Sequence, residues 1–161
     1  MAYVYRYGYE EEKTPPPPKM ATNRNVWKLY LLSILTLGFY GVFFFGTFSG
    51  DLNKIAPRRG GEKTMNYLVA YLLSLFTYSI VLMFWHYQVA DHIEEALALR
   101  KIECSFSKEK FWLFCVFIGL IPFVSLIGTA VYYYYLCDAM NRLSADYNER
   151  PYVDGDKTYA R

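Results

Sequence analysis

The stretch LYLLSILTLGFYGVFFFGTFSG, from Leu29 to Gly50, contains 22 residues and no charged side chain. Two further uncharged stretches, Thr64 to Ala90 and Phe111 to Cys137, have 27 residues each. About 20 helical residues are needed to cross a bilayer core of roughly 30 Å. Because every Lys, Arg, Asp and Glu lies outside these stretches, the sequence predicts an all-α integral membrane protein.

Composition supports the same class. The chain has 161 residues, and its hydrophobic content of 54% exceeds the roughly 45–50% of soluble domains. The net charge of +2 is too small to indicate a nucleic-acid-binding protein. The basic residues flank the uncharged stretches, where each gains about 1 kcal/mol from anionic headgroups. We therefore expect the lipid bilayer to be the main partner, with no nucleic acid.

The chain divides into a membrane-embedded helical domain and two flexible tails. The N-terminal tail is rich in Tyr and Pro, and four consecutive prolines, Pro15 to Pro18, favour an extended conformation. The tails cover residues 1–25 and 149–161, and the domain, 26–148, consists of three units at 26–57, 64–103 and 107–148.

The first two units read as an internal repeat. Ser33 matches Ser74, Thr36 matches Thr77, and an Asp follows each apolar stretch, with spacings of 40–41 residues. The third unit, which starts near Phe111, matches more loosely. Each unit is predicted to contain a helix, a break, a second helix and an amphipathic helical end that suits the membrane interface.

Small, hydroxylated or helix-breaking residues mark the predicted breaks. They are Thr36, Gly38, Thr77, Ser79, Gly119 and Pro122. Two geometries follow from this pattern. Each unit either crosses the membrane once as a kinked helix, giving three spans, or turns back at its break, giving three membrane hairpins.

The distribution of basic residues favours hairpins. Lys and Arg number five before the first stretch and four in each of the three later polar segments. Three crossings would divide them nine to eight, whereas hairpins place all seventeen on one face, as the positive-inside rule expects. We therefore predict a protein of the cell membrane whose tails and most loops are cytoplasmic. Plausible helix N-caps are Thr22 or Asn23, Thr64 and Ser107.

Polar residues recur where each unit leaves its apolar stretch. They are Asp51, Asn53, Asp91, His92, Asp138 and Asn141. If the units pack around one axis, these side chains converge and offer oxygen ligands to a cation or a lipid headgroup. The competing interpretation is that they are solvated helix-end residues. No phosphate-binding glycine loop, catalytic signature or paired CxxC occurs, so no catalytic, cofactor or metal residue is predicted.

Three segments of the sequence resemble one protein family. They are YLLSILTLGFYGVFFFGTFSGDLNKIAPR (Tyr30 to Arg58), NYLVAYLLSLFTYSI (Asn66 to Ile80) and DAMNRLSADYN (Asp138 to Asn148). They are similar to the family of domains of unknown function DUF4234, over about residues 25–148, and TLGFYG is the most specific phrase. The second unit departs from it, with Tyr78-Ser79 in place of Leu-Gly. The resemblance implies a bacterial or archaeal multi-helix membrane protein and brings neither an activity nor a catalytic residue.

These observations favour a non-enzymatic membrane scaffold or accessory subunit that binds lipid, a membrane-protein partner or further copies of itself. A small oligomeric channel or transporter for a neutral solute is the alternative, because the apolar stretches contain no charged group to conduct ions. A lipid-modifying enzyme that uses Asp91, His92 and Glu95 as acid and base is a third hypothesis.

Overall fold

A computed structural model describes residues 17–56, 63–118, 121 and 124–151. Over these residues the protein is all-helical and has no β-strand. The helices are α1 (Val26–Leu35), α2 (Phe39–Ile55), α3 (Tyr67–Ser74), α4 (Ile80–Leu99), α5 (Glu109–Phe111), which continues as a π-helical turn (Trp112–Phe117), and α6 (Val124–Glu149).

The chain turns back between α1 and α2 and again between α3 and α4. Tyr30 of α1 and Phe45 of α2 both pack on the ring of Tyr133, so the two helices lie side by side. In the second pair, Trp85 Nε1 of α4 donates to the carbonyl of Met65, just before α3, at 2.7 Å. Of the two geometries that the sequence allows, the structure therefore has hairpins at these two turns rather than kinked continuous helices.

The third helix pair consists of α5 with its π-helical turn, and α6. Phe114 stacks on Tyr135 of α6, and Gly128 of α6 packs against the Phe114 backbone. The chain therefore turns back in this unit as well. The predicted breaks at Gly119 and Pro122 lie outside the described residues.

The first two turns close with the same hydrogen bonds. The Gly38 amide donates to the Ser33 carbonyl at 2.7 Å, and the Ser79 amide donates to the Ser74 carbonyl at 3.0 Å. The hydroxyls of Thr36 and Thr77 donate to the carbonyls four residues earlier, at 2.7 and 3.1 Å. Because the chain itself satisfies these groups, neither turn depends on water for them.

We expect Thr36→Val to lower the free energy of unfolding by about 1–3 kcal/mol. Thr36 donates to Leu32 and also accepts the Tyr40 amide at 2.9 Å, and valine of the same shape would remove both hydrogen bonds and leave the Tyr40 amide without its side-chain acceptor. Thr47→Val is the matched control, since the Thr47 hydroxyl contacts only the Phe44 carbonyl of its own helix. Thermal unfolding in detergent measures both, and equal stability of the two variants would contradict this role for Thr36.

Two predicted helix starts are wrong by two or three residues. Helix α1 is capped by Asn25, whose Oδ1 accepts the Trp27 amide at 2.7 Å, rather than by Thr22 or Asn23. Helix α3 is capped by Asn66 rather than Thr64, because the Thr64 side chain bonds His92 instead. An Asn oxygen in the N-cap position satisfies a first-turn amide that would otherwise lack a partner.

Aromatic side chains form the centre of the core. Phe45, Tyr67, Trp85, His86 and Tyr133 contact one another, with ring centroids 4.8–6.3 Å apart. They come from α2, α3, α4 and α6, so this cluster joins all three helix pairs. Aromatic contacts of this kind add about 0.5–1.5 kcal/mol each beyond the area they bury.

The three turns, which we call the tips, carry large apolar side chains that none of the described residues covers. Exposure reaches 91% at Leu37, 85% at Phe76 and 97% at Tyr78. Others at the tips are Ile34, Leu35, Phe39, Leu75, Phe117, Ile121, Leu126 and Ile127. Among the described helices, not one is both long enough and apolar enough to cross a membrane.

Candidate functional site at the polar end

The end of the molecule opposite the tips, which we call the polar end, contains the C-terminal turns of α2, α4 and α6 and the extended segment 20–25. All six site residues predicted from the sequence lie there. The structure shows what each of them contacts.

Three asparagines each hold a backbone segment by two hydrogen bonds. Asn141 accepts the Arg24 amide at 3.0 Å and donates to its carbonyl at 2.8 Å. Asn148, two turns further along α6, binds Met20 in the same way at 2.7 and 2.9 Å. Asn53 of α2 holds Thr64 at 2.8 Å through both groups. The segment 20–24 is therefore fastened along α6.

Arg24 joins this segment to two helices. Its side chain is only 6% exposed and pairs with Asp51 of α2 at 2.6 Å, while Nη1 donates to Ser144 of α6 at 3.1 Å. Burial lowers the pKa of the Arg24 guanidinium, and the Asp51 carboxylate opposes that shift. A buried cation is retained when it is paired and hydrogen-bonded, so Arg24 and Asp51 act as one structural unit.

Arg100, at the end of α4, joins all three helix pairs. Its side chain is 2% exposed and pairs with Asp146 of α6 at 2.8 Å. It also donates to the Ile55 carbonyl at the end of α2, at 2.9 Å, and to the Arg150 carbonyl at 3.1 Å. Because the last carbonyls of a helix have no partner within it, Arg100 also completes the C-terminus of α2.

His92 of α4 is buried against the connection that leads to α3. Its Nε2 contacts the Ala56 carbonyl and its Nδ1 lies 2.7 Å from the Thr64 hydroxyl. A carbonyl can only accept, so Nε2 carries the proton, and a neutral ring then accepts the Thr64 hydroxyl at Nδ1. Both ring nitrogens thus serve the packing of the first two helix pairs.

The two remaining acidic residues of the predicted site, Asp91 and Asp138, form ion pairs at the surface. Asp91 accepts from Lys108 at 2.8 Å, and this hydrogen bond raises the pKa of the Lys108 ammonium. Asp138 accepts from Arg142 of its own helix at 2.9 Å and lies 3.9 Å from the Cys104 sulfur. The Asp91 pair connects α4 to the start of the third helix pair, whereas the Asp138 pair is local to α6.

All six predicted site residues thus lie at one end of the molecule, and each has a partner from the chain itself. In the part of the chain that is described, no three His, Cys, Asp or Glu side chains come together in a way that could hold a metal ion. The arrangement is that of a polar layer that joins helices. Binding of a cation or a headgroup by these six residues stays a prediction.

The site prediction from the sequence missed several residues of this layer. Arg24, Arg100, Asp146 and Asn148 read as ordinary polar residues and Thr64 as a helix N-cap. Their partners are distant in the sequence, as in the 128-residue separation of Met20 and Asn148. One signal was available for Asn148. It lies seven residues after Asn141 and so shares a helix face with it.

The fold and site define an all-helical protein of packed helix pairs with apolar tips and a polar joining layer. Residues 24–95 match the family model described as Domain of unknown function (DUF4234). The match covers α1 to α3 and most of α4, and the similarity expected at Asp138 to Asn148 lies beyond it. No curated protein and no solved structure matches the chain.

Proposed function

We propose that the protein is a non-enzymatic membrane scaffold or accessory subunit whose helix pairs insert into one leaflet as hairpins. The observation that carries this proposal is the division of the described surface into two ends. Large apolar side chains such as Leu37 and Phe76 are exposed at the tips, whereas the ion pairs lie at the polar end. Exposed apolar patches of this kind are typical of membrane or protein contacts.

Helix lengths suit insertion to the middle of a bilayer. The part of α2 from Phe39 to Gly50 has 12 residues and is about 18 Å long, at 1.5 Å per residue. One leaflet contributes about 15 Å of hydrocarbon. A hairpin of this length therefore reaches the bilayer centre with its tip and keeps Asp51 at headgroup level.

The chemistry of the turns supports the same arrangement. A turn within hydrocarbon requires that its backbone groups be satisfied by protein. The Thr36 and Thr77 hydroxyls and the bonds from Gly38 and Ser79 supply partners within the first two turns. The tips can therefore leave water at little cost in unsatisfied backbone.

A scaffold or accessory role follows from how the polar side chains are used. Arg24, Arg100 and His92 are buried and bonded to other helices or connections, so their contacts hold the helix pairs together. In the hairpin arrangement all seventeen Lys and Arg lie on one face of the membrane. The positive-inside rule makes that face cytoplasmic.

The tips offer a direct test of insertion. We expect the double variant Leu37→Asp/Phe76→Asp to leave the membrane fraction, because an Asp near the bilayer centre costs about 2.5–3.5 kcal/mol. Both side chains are more than four-fifths exposed, so the substitutions spare the packed core. Flotation of the chain with neutral phosphatidylcholine vesicles measures the effect, and circular dichroism checks the helix content.

The control is Leu99→Asp, which places one such charge on an exposed apolar side chain at the polar end. We expect this variant to float with vesicles as the unmodified chain does. Equal flotation of the tip variant and the control would overturn the proposed insertion. Channel activity stays the alternative function, and saturable flux of a neutral solute in proteoliposomes would favour it over a scaffold.

A further inference from the structure

A cationic pocket lies between α1 and α2 at the polar end. It has a volume of about 530 Å³, which is enough for a phosphate-sized headgroup. Its charged lining residues are Lys19, Arg24, Lys28 and Asp51, and Tyr40 and Phe44 form an apolar wall. Three cations and one carboxylate leave an excess of two positive charges in the pocket.

The charge of the two lysines is not used by the fold. Asp51 pairs closely with Arg24, at 2.6 Å, whereas neither Lys19 nor Lys28 has a carboxylate partner among the described residues. The N-terminus of the ten-residue helix α1 adds its partial positive charge at the same place. The pocket is therefore complementary to an anion with one or two negative charges.

An apolar groove of about 590 Å³ lies on the other side of α2, between α2 and α3. Val42, Phe43, Gly46, Leu68 and Leu72 line it. The groove extends from the first tip to Thr47, and Thr47 also lines the cationic pocket. A charged site at the polar end thus adjoins an apolar site that leads towards the tip.

We propose that the pocket and the groove together bind one anionic phospholipid, with its phosphate between Lys19 and Lys28 and an acyl chain along α2 towards the tip. This inference rests on the proposed insertion, which places the pocket at headgroup level and the groove in hydrocarbon. Lipid is the occupant because the two sites adjoin each other at Thr47, which lines both, and a free phosphate would use only the first.

Native mass spectrometry of the full chain in mild detergent tests the proposal. We expect one phosphatidylglycerol to bind about 10- to 30-fold more tightly than phosphatidylcholine with the same acyl chains, given about 1 kcal/mol per lysine. Lys19→Gln/Lys28→Gln should abolish this preference. The control Lys63→Gln/Lys101→Gln removes two exposed lysines outside the pocket and should retain it.

The groove is tested separately by filling it. A Cβ at Gly46 meets no atom within 4 Å, and neither does one at Gly50 of the same helix, so both accept a larger side chain. Gly46 lines the groove and Gly50 does not. We expect Gly46→Leu to weaken phosphatidylglycerol binding at least tenfold, and Gly50→Leu to leave it unchanged.

Four results would each overturn the proposal. They are equal binding of the two lipids, equal loss of preference in both lysine pairs, unchanged binding by Gly46→Leu, and competition by glycerol phosphate as effective as that of the lipid. Flotation with neutral vesicles is independent of Lys19 and Lys28. If the chain floats with vesicles but does not prefer phosphatidylglycerol, the lipid pocket is contradicted and the insertion is not. If the chain prefers phosphatidylglycerol but the tip variant floats as well as its control, the insertion is contradicted and the pocket is not.

Discussion

Asp146→Asn is expected to lower the free energy of unfolding by about 3 kcal/mol at neutral pH. The substitution leaves the Arg100 guanidinium, whose side chain is 2% exposed, without its carboxylate, and an uncompensated buried charge costs about 3–5 kcal/mol. The hydrogen bonds from Arg100 to the Ile55 and Arg150 carbonyls remain, which places the effect at the lower end. Thermal or denaturant-induced unfolding in detergent measures the change.

The same substitution at Asp138 is the control. Asp138 pairs with Arg142 on the same helix, and both side chains are at least two-fifths exposed, so this pair contributes about 0–1 kcal/mol. If Asp138→Asn lowered the free energy of unfolding as much as Asp146→Asn, the assignment of Arg100 as the residue that joins the three helix pairs would be contradicted.

The effect at Asp146 also depends on pH. Burial by itself would raise the pKa of this carboxyl, but the hydrogen bonds and charges of Arg100 and Arg150 outweigh burial and lower it. A lowered pKa in the folded state gives stability that is fully present above the unfolded value of about 4 and is lost as the pH falls through the folded value. The difference between the unmodified chain and Asp146→Asn should therefore be constant from pH 7 to about pH 5 and shrink below about pH 4.

Gly128→Val is the second substitution with a large expected effect. A Cβ at Gly128 would lie 2.7 Å from the Phe114 carbonyl oxygen and 2.8 Å from Ile118 Cγ2, so α6 and the π-helical turn would have to separate. Overpacking of this kind costs about 1–3 kcal/mol, and we expect about 3 because a backbone atom cannot move aside as a side chain can.

The control for Gly128 is Gly50→Val, at a helical position where a Cβ meets no neighbour within 4 Å. We expect it to change the unfolding free energy by less than about 1 kcal/mol, since valine and glycine differ modestly in helix propensity. Similar unfolding midpoints for the two valine variants would show that the third helix pair is not packed through Gly128.

The parts of the fold that the sequence predicts are those with a local cause. The turns at Thr36 and Thr77 follow from residues that bond their own backbone four positions earlier. The grouping of Asp51, Asp91 and Asn141 at one end follows from their position after each apolar stretch. Helix content likewise follows from composition and from the length of the uncharged stretches.

The contacts that hold the polar end together have no local cause. Arg24 binds Ser144 across 120 residues and Arg100 binds Asp146 across 46. Which carboxylate pairs with which arginine depends on how the helix pairs pack, and packing is not encoded in spacing along one helix. The cationic pocket was missed for the same reason, because Lys19 and Lys28 become neighbours only when Asn141 and Asn148 fasten the segment before α1.

The depth of a tip in the bilayer tests the central claim most directly. A single cysteine at Phe76, introduced after replacement of Cys104, Cys115 and Cys137, carries an environment-sensitive fluorophore in vesicles, and Lys101→Cys serves as the polar-end control. We predict quenching at position 76 by lipids labelled deep in the acyl chain and not by aqueous iodide, with the reverse pattern at position 101. Quenching by iodide at position 76 would contradict insertion of the hairpins into the membrane.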